Sequence, residues 1–245
     1  MFEPEAFFMI LASLPSLYGR VGAALSSLII VFCCIGLTMH KDVYAGKPRP
    51  DFYCYYTNLS NLLVLLYFSL GAPLLYLTPN LHRFIPTTEY CIAMVIALTH
   101  LVFHFLLFPA IRPQLKCAVW SFELRILAAD NLIIHYIVPW LVLLYWLLCA
   151  PGKRQLPYSA SVLWTLLPVA YLCFILFRGM KRTNLHETDS PYPYPFLDVA
   201  QWGAKCVALN CMRLYALSMA YSGGVLLLFK ALFFLFGEDH ALILI

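Results

Sequence analysis

The feature that most constrains this chain is a succession of long apolar runs, near 18–39, 57–77, 87–108, 127–149, 157–178 and 214–236. Each approaches or exceeds the roughly 20 residues that a helix needs to cross a bilayer. Lipid offers no partner to backbone N–H and C=O groups, so runs of this length read as helices that satisfy their own backbones. Together they occupy most of the 245 residues and leave no room for a separate soluble domain. Only 11% of residues are charged and mean hydropathy is +0.80, whereas soluble domains carry about 25% charged residues. The expectation is an all-α polytopic membrane bundle of six transmembrane helices, forming one domain over 1–245.

A net charge of +4 calls for no nucleic-acid partner; the partners expected are membrane lipids. Nine cysteines without a C-x-x-C pair suggest neither a disulfide framework nor a zinc site, and no metal or cofactor is expected. The N-terminus holds a short apolar piece, Phe7 to Leu11, behind Glu3 and Glu5 with no basic residue. That is a poor secretory signal; it reads as an interfacial segment or as part of a longer, tilted first helix. Loops one, three and five carry Lys41, Lys47, Arg49, Arg112, Lys116, Arg125, Arg178, Lys181, Arg182, Lys205 and Arg213, against Arg20, Arg83, Lys153 and Arg154 on the other side. Basic residues favour the cytoplasm, which puts loops one, three and five inside and both termini outside.

Polar residues inside such spans are expensive and turn toward the protein interior. Thr57, Ser60 and Asn61 open the second run at i, i+3 and i+4, and so share one helix face. Thr57 before an apolar run is also a natural N-cap. His100 and His104 lie in the second half of the third run, and His135 lies five residues after Asp130, about 7.5 Å along the axis. With alternating spans, all of these fall in one leaflet, on the basic side. Pro139 cannot donate to the carbonyl four residues back, which belongs to His135. A bend is expected there, with that carbonyl free for another donor. Asn131, four residues before His135, is placed to hold its imidazole, whereas Asp130 points away from that face. A second bend is expected at Gly71-Ala72-Pro73.

Each of these residues also has a plainer role. His100 and His104 read as inter-helix hydrogen-bonding residues. Lys230 reads as snorkelling or paired, and Tyr192 to Phe196 as an aromatic interfacial loop. The Asn58-Leu59-Ser60 sequon lies too close to the membrane to be glycosylated.

Three stretches carry a family resemblance: Tyr56-Thr57-Asn58-Leu59-Ser60-Asn61, Asp130 through His135 to Pro139, and Tyr192 to Asp198. On these the chain resembles the androgen-induced and androgen-dependent TFPI-regulating family of integral membrane hydrolases, closest to its bacterial relatives. The resemblance implies a hydrolase of fatty acid esters of hydroxy fatty acids. It implies an intramembrane threonine nucleophile and a histidine partner, which by motif are Thr57 and His135. It also implies a bacterial inner membrane as the location. Ser60, Asn61, Asn131, His100 and His104 are then the substrate-binding or orienting residues. Asn61 and the free N–H groups at the start of span two are the candidate oxyanion donors. Two other classes use the same cluster: a b-type haem protein with His135 and one of His100 or His104 as axial ligands, and a small transporter.

Overall fold

The computed structural model describes residues 4–42, 51–109, 129–181, 183–185 and 190–241. Every regular element among them is helical, and six helices are long and apolar enough to cross a membrane. These spans are Gly19–His40, Tyr56–Leu77, Pro79–Leu107, Ala129–Leu148, Ala160–Met180 and Val199–Leu232, numbered one to six below. The fold class is therefore the all-α membrane bundle that the apolar runs predict. Loop three, with Arg112, Lys116 and Arg125, lies outside the described residues, as do Lys47, Arg49 and Arg182.

Two boundaries differ from the sequence reading. The first helix runs from Pro4 to Asp42, so the N-terminal apolar piece is part of a longer first helix. The last helix begins at Val199, not near 214. Asp198 explains the earlier start, because its Oδ1 accepts from the N–H groups of Ala200 (2.9 Å) and Gln201 (3.1 Å). That is an N-cap, and it nucleates a helix through residues too polar to register as a span. The described residues just before this helix, 190–198, form a short strap.

Proline shapes three of the spans. Each carries a π-helical segment, Tyr67–Gly71, Phe103–Leu107 and Ile133–Ile137. Each segment ends two residues before a proline: Pro73, Pro109 and Pro139. A proline ring collides with the carbonyl four residues back and offers no donor to it. In all three cases that carbonyl belongs to the middle residue of the segment, Ser69, Phe105 or His135. The residue before each proline instead donates across a widened turn: Ala72 to Tyr67, Phe108 to Phe103 and Val138 to Ile133. The bend expected at His135 thus takes the form of a π-turn. Span five answers Pro168 differently, with a break at Trp164 and Thr165 between Ala160–Leu163 and Leu166–Met180.

The core lies where spans one, two, three and four meet, around Ile29, Cys33, Val64, Ala93, Ile96, Ile134 and Val138, all buried. Gly36 lets spans one and four approach: a Cβ there would lie 2.6 Å from Ile134 Cγ2 and 2.7 Å from Ile133 Cγ2. Hydrogen bonds then pin the spans azimuthally. Tyr90 donates to the Ser222 carbonyl (2.7 Å), joining spans three and six, and Ser222 donates to the Ser161 carbonyl (3.2 Å), joining six and five.

Candidate functional site

Span two starts at Tyr56, and its N-cap is Tyr55, whose backbone is extended and whose side chain makes no capping bond. Thr57 is therefore inside the helix rather than its cap. The groups that face the Tyr194 hydroxyl include the Thr57 hydroxyl, the N–H groups of Thr57 and Tyr56, and the Tyr171 hydroxyl. First-turn N–H groups have no partner within a helix, and here the phenol of a residue in the strap meets them. Burial raises the Tyr194 pKa above the usual tyrosine value, so the phenol is protonated at neutral pH.

Along the same face, Ser60 Oγ lies 2.7 Å from Thr99 Oγ1 and donates to the Thr57 carbonyl at 2.9 Å. Asn61 Nδ2 donates to two carbonyls, of Thr57 at 2.8 Å and of Ile134 at 3.2 Å. One amide thus ties the backbone at Thr57 to the residue before His135. Asn58 is turned inward, donating to the Phe52 carbonyl at 2.8 Å and almost fully buried; its sequon is inaccessible.

His100 Nδ1 donates to the freed carbonyl of His135 at 2.8 Å. Its ring packs against His104, Tyr136 and Trp140. His104 is exposed and reaches the Tyr136 hydroxyl at 3.0 Å. The His135 imidazole is 5% exposed and stacks on Phe103, with ring centroids 3.7 Å apart. Its Nδ1 has no hydrogen-bond partner, so Asn131 does not hold that nitrogen. The two rings that a haem would need on either side of it are each packed against aromatic neighbours.

Asp130 has a partner that sequence reasoning did not single out. His40, at the end of span one, places Nδ1 2.7 Å from Asp130 Oδ2, and Asp130 is fully buried. The available signal was depth: both residues fall at the same end of alternating spans. Glu89 was also missed, although a lone carboxyl in an apolar run is itself a flag. Its Oε1 accepts from Tyr67 (3.2 Å), Tyr76 (3.0 Å) and Tyr145 (3.0 Å), while Oε2 has no partner. Lys230 sits over the Tyr158 ring at 4.7 Å, a cation–π pairing.

Thr57, Tyr56, Thr99, Phe103, Tyr171 and Tyr194 line one cavity of about 100 Å³, to which spans five and six contribute further apolar lining. A larger apolar groove of about 480 Å³ shares Leu98, Val102, Phe196, Leu214 and Ser218 with it. His135 does not line this cavity, but the Phe103 ring stacked on it does. Among the described residues, no group of three or more His, Cys, Asp or Glu side chains is placed to hold a metal ion. In comparisons with protein-family models, curated proteins and solved structures, nothing matches this chain.

Proposed function

We propose that this protein is an intramembrane hydrolase of lipid esters, such as fatty acid esters of hydroxy fatty acids, with Thr57 as nucleophile and His135 as general base. One observation carries the reading. Thr57 is a buried hydroxyl, not used as a cap, on the wall of an apolar cavity that adjoins a larger apolar groove. An acyl chain suits such walls, and the hydroxyl is the reactive group that meets it.

A threonine hydroxyl needs a neighbouring base to become a nucleophile. His135 supports that role with an unpartnered Nδ1 and a backbone tied to that of Thr57 through Asn61. The Thr57 oxygen bonds to the ester carbonyl carbon while its proton passes to the imidazole. The C–O bond to the alcohol then breaks, the alcohol takes that proton, and water releases the acid from the acyl-threonine. Because Phe103 covers the imidazole, the reading requires that ring to move aside during the reaction. In this reading the chain lies in a bacterial inner membrane with loops one, three and five cytoplasmic, as their basic residues favour.

The test is covalent labelling of the purified protein with a fluorophosphonate, followed by peptide mapping. The modification is expected on Thr57 and is expected to disappear in His135→Ala. Labelling of any other residue, with Thr57 unmodified, rejects the assignment.

A further inference from the structure

We propose that Tyr194 is a further catalytic residue, its hydroxyl donating the hydrogen bond that stabilises the oxyanion formed when Thr57 attacks an ester carbonyl. This rests on the reading of Thr57 as nucleophile. It starts from where the cavity's buried hydroxyl hydrogens go. Tyr171 gives its hydrogen to the Cys54 carbonyl (2.8 Å), Thr165 to that of Val162 (2.7 Å) and Ser218 to that of Leu214 (2.7 Å). Tyr56 reaches the Val95 carbonyl (3.4 Å), and Thr99 is paired with Ser60 (2.7 Å). Thr57 and Tyr194 are left: both line the cavity, and the Tyr194 hydrogen has as neighbours the Thr57 oxygen and the oxygen of Tyr171, whose own hydrogen is given to Cys54.

The donors suggested by sequence are occupied. Asn61 Nδ2 is committed to two carbonyls, and the first-turn N–H groups of span two face the Tyr194 oxygen. Two N–H groups directed at a phenol oxygen polarise its O–H bond and make it a stronger donor. The phenol hydrogen can then turn from the Tyr171 oxygen to an oxygen beside Thr57 Oγ1.

An oxyanion donor must also be held in place before the reaction, and the strap is well anchored. Arg178 donates to the Pro191 carbonyl (2.8 Å), Ser190 to Asp198 Oδ2 (2.7 Å) and the Trp202 indole to the Pro195 carbonyl (3.1 Å). Tyr192 lies flush against span five because Gly179 has no side chain there. Tyr194 itself stacks on Phe196 and meets Tyr55 edge-on. The step leaves the proton count unchanged. The Thr57 proton goes to the base, the carbonyl π electrons go to oxygen, and Tyr194 shares its hydrogen with that oxygen without releasing it.

The experiment uses the full-length protein in detergent and the burst of p-nitrophenol released from p-nitrophenyl octanoate, with the acyl adduct mapped by mass spectrometry. Tyr194→Phe keeps the ring packing and is expected to slow acylation of Thr57 by roughly 10²–10³-fold, with KM changed only a few-fold. Tyr171→Phe is expected to lose thermal stability while acylating within several-fold of wild type. Trp164 also lines the cavity and its indole N–H has no acceptor, so Trp164→Phe is made alongside and is expected to acylate normally. Acylation at the wild-type rate in Tyr194→Phe, with or without a loss in Trp164→Phe, overturns the proposal. A drop in thermal midpoint with an unchanged rate assigns Tyr194 a capping role only, and also overturns it. Should Tyr194→Phe not fold, trifluorotyrosine at 194 preserves shape. Acylation should then fail at lower pH than in wild type as the more acidic phenol loses its hydrogen, and an unmoved pH profile rejects the idea. Absence of any adduct on Thr57 in wild type is a distinct outcome that removes the parent reading and this proposal with it.

Discussion

His100 Nδ1 donates to the main-chain carbonyl of His135 at 2.8 Å, the acceptor left free by Pro139. Losing one partner of a buried polar pair leaves the other unsatisfied, at about 1–3 kcal/mol. His100→Ala should therefore lower the thermal midpoint in detergent, with most of the loss recovered in His100→Gln if its amide reaches the same carbonyl. An unchanged midpoint in His100→Ala would show that water or lipid headgroups satisfy the carbonyl equally well.

Substitution separates a catalytic role of Thr57 from a packing role. Packing needs only a side chain that fills the site, whereas a nucleophile needs the hydroxyl. Thr57→Ser should keep measurable hydrolysis of a lipid ester, while Thr57→Asn and His135→Ala should each abolish it in folded protein. The Thr57→Ala/His135→Ala pair should cost little more than either alone, because residues acting as one unit are not additive. Hydrolysis at the wild-type rate by stable Thr57→Asn protein would end the nucleophile assignment.

Gly36 is a point of close approach between spans one and four. Gly36→Ala drives its methyl into Ile133 and Ile134, and overpacking of this kind costs about 1–3 kcal/mol. Gly36→Ala should unfold at lower temperature, and combining it with Ile134→Ala, which removes the Cγ2 methyl that the new Cβ would meet at 2.6 Å, should cost less than the sum of the two single losses. Independent, additive effects of the two substitutions would place the strain elsewhere.

Lys153 lies in the loop after span four, nearly fully buried, donating to the Leu147 carbonyl at 2.7 Å. Desolvation lowers its pKa from 10.5 to about 8, against the attraction of Cys149 and Glu89. Between those values the unfolded chain binds a proton that the folded chain does not, so this residue's contribution to stability rises with pH. Below about 8 the folded protein bears the whole penalty of the buried charge. The stability of Lys153→Met relative to wild type should therefore be greatest below that pH and shrink toward pH 10.5, by on the order of 3 kcal/mol. Chemical unfolding of both proteins across that range measures it, and a pH-independent difference would mean that the ammonium is solvated.

Much of the framework follows from residues read in one dimension. Six apolar runs are enough to call six spans, because lipid leaves a long apolar backbone few alternatives to a helix. Alternation of the spans places Thr57, Ser60 and Asn61 at the depth of His100 and His135, and the contacts from Asn61 to Ile134 and from His100 to His135 agree with that depth. Pro139 announces a free carbonyl at His135 through its missing N–H alone. These properties are local or depend only on distance along a helix axis. The rotation of each helix about its axis, and the docking of the strap, were decided by tertiary packing. The π-turn falls at His135, whose ring stacks on Phe103, Gly36 sets how closely spans one and four approach, and the three tyrosines around Glu89 come from two spans, two and four. Thr57 also ceases to be a cap for a tertiary reason: the Tyr194 phenol, 137 positions further along the sequence, comes to the helix start and faces the N–H groups that a cap would have served.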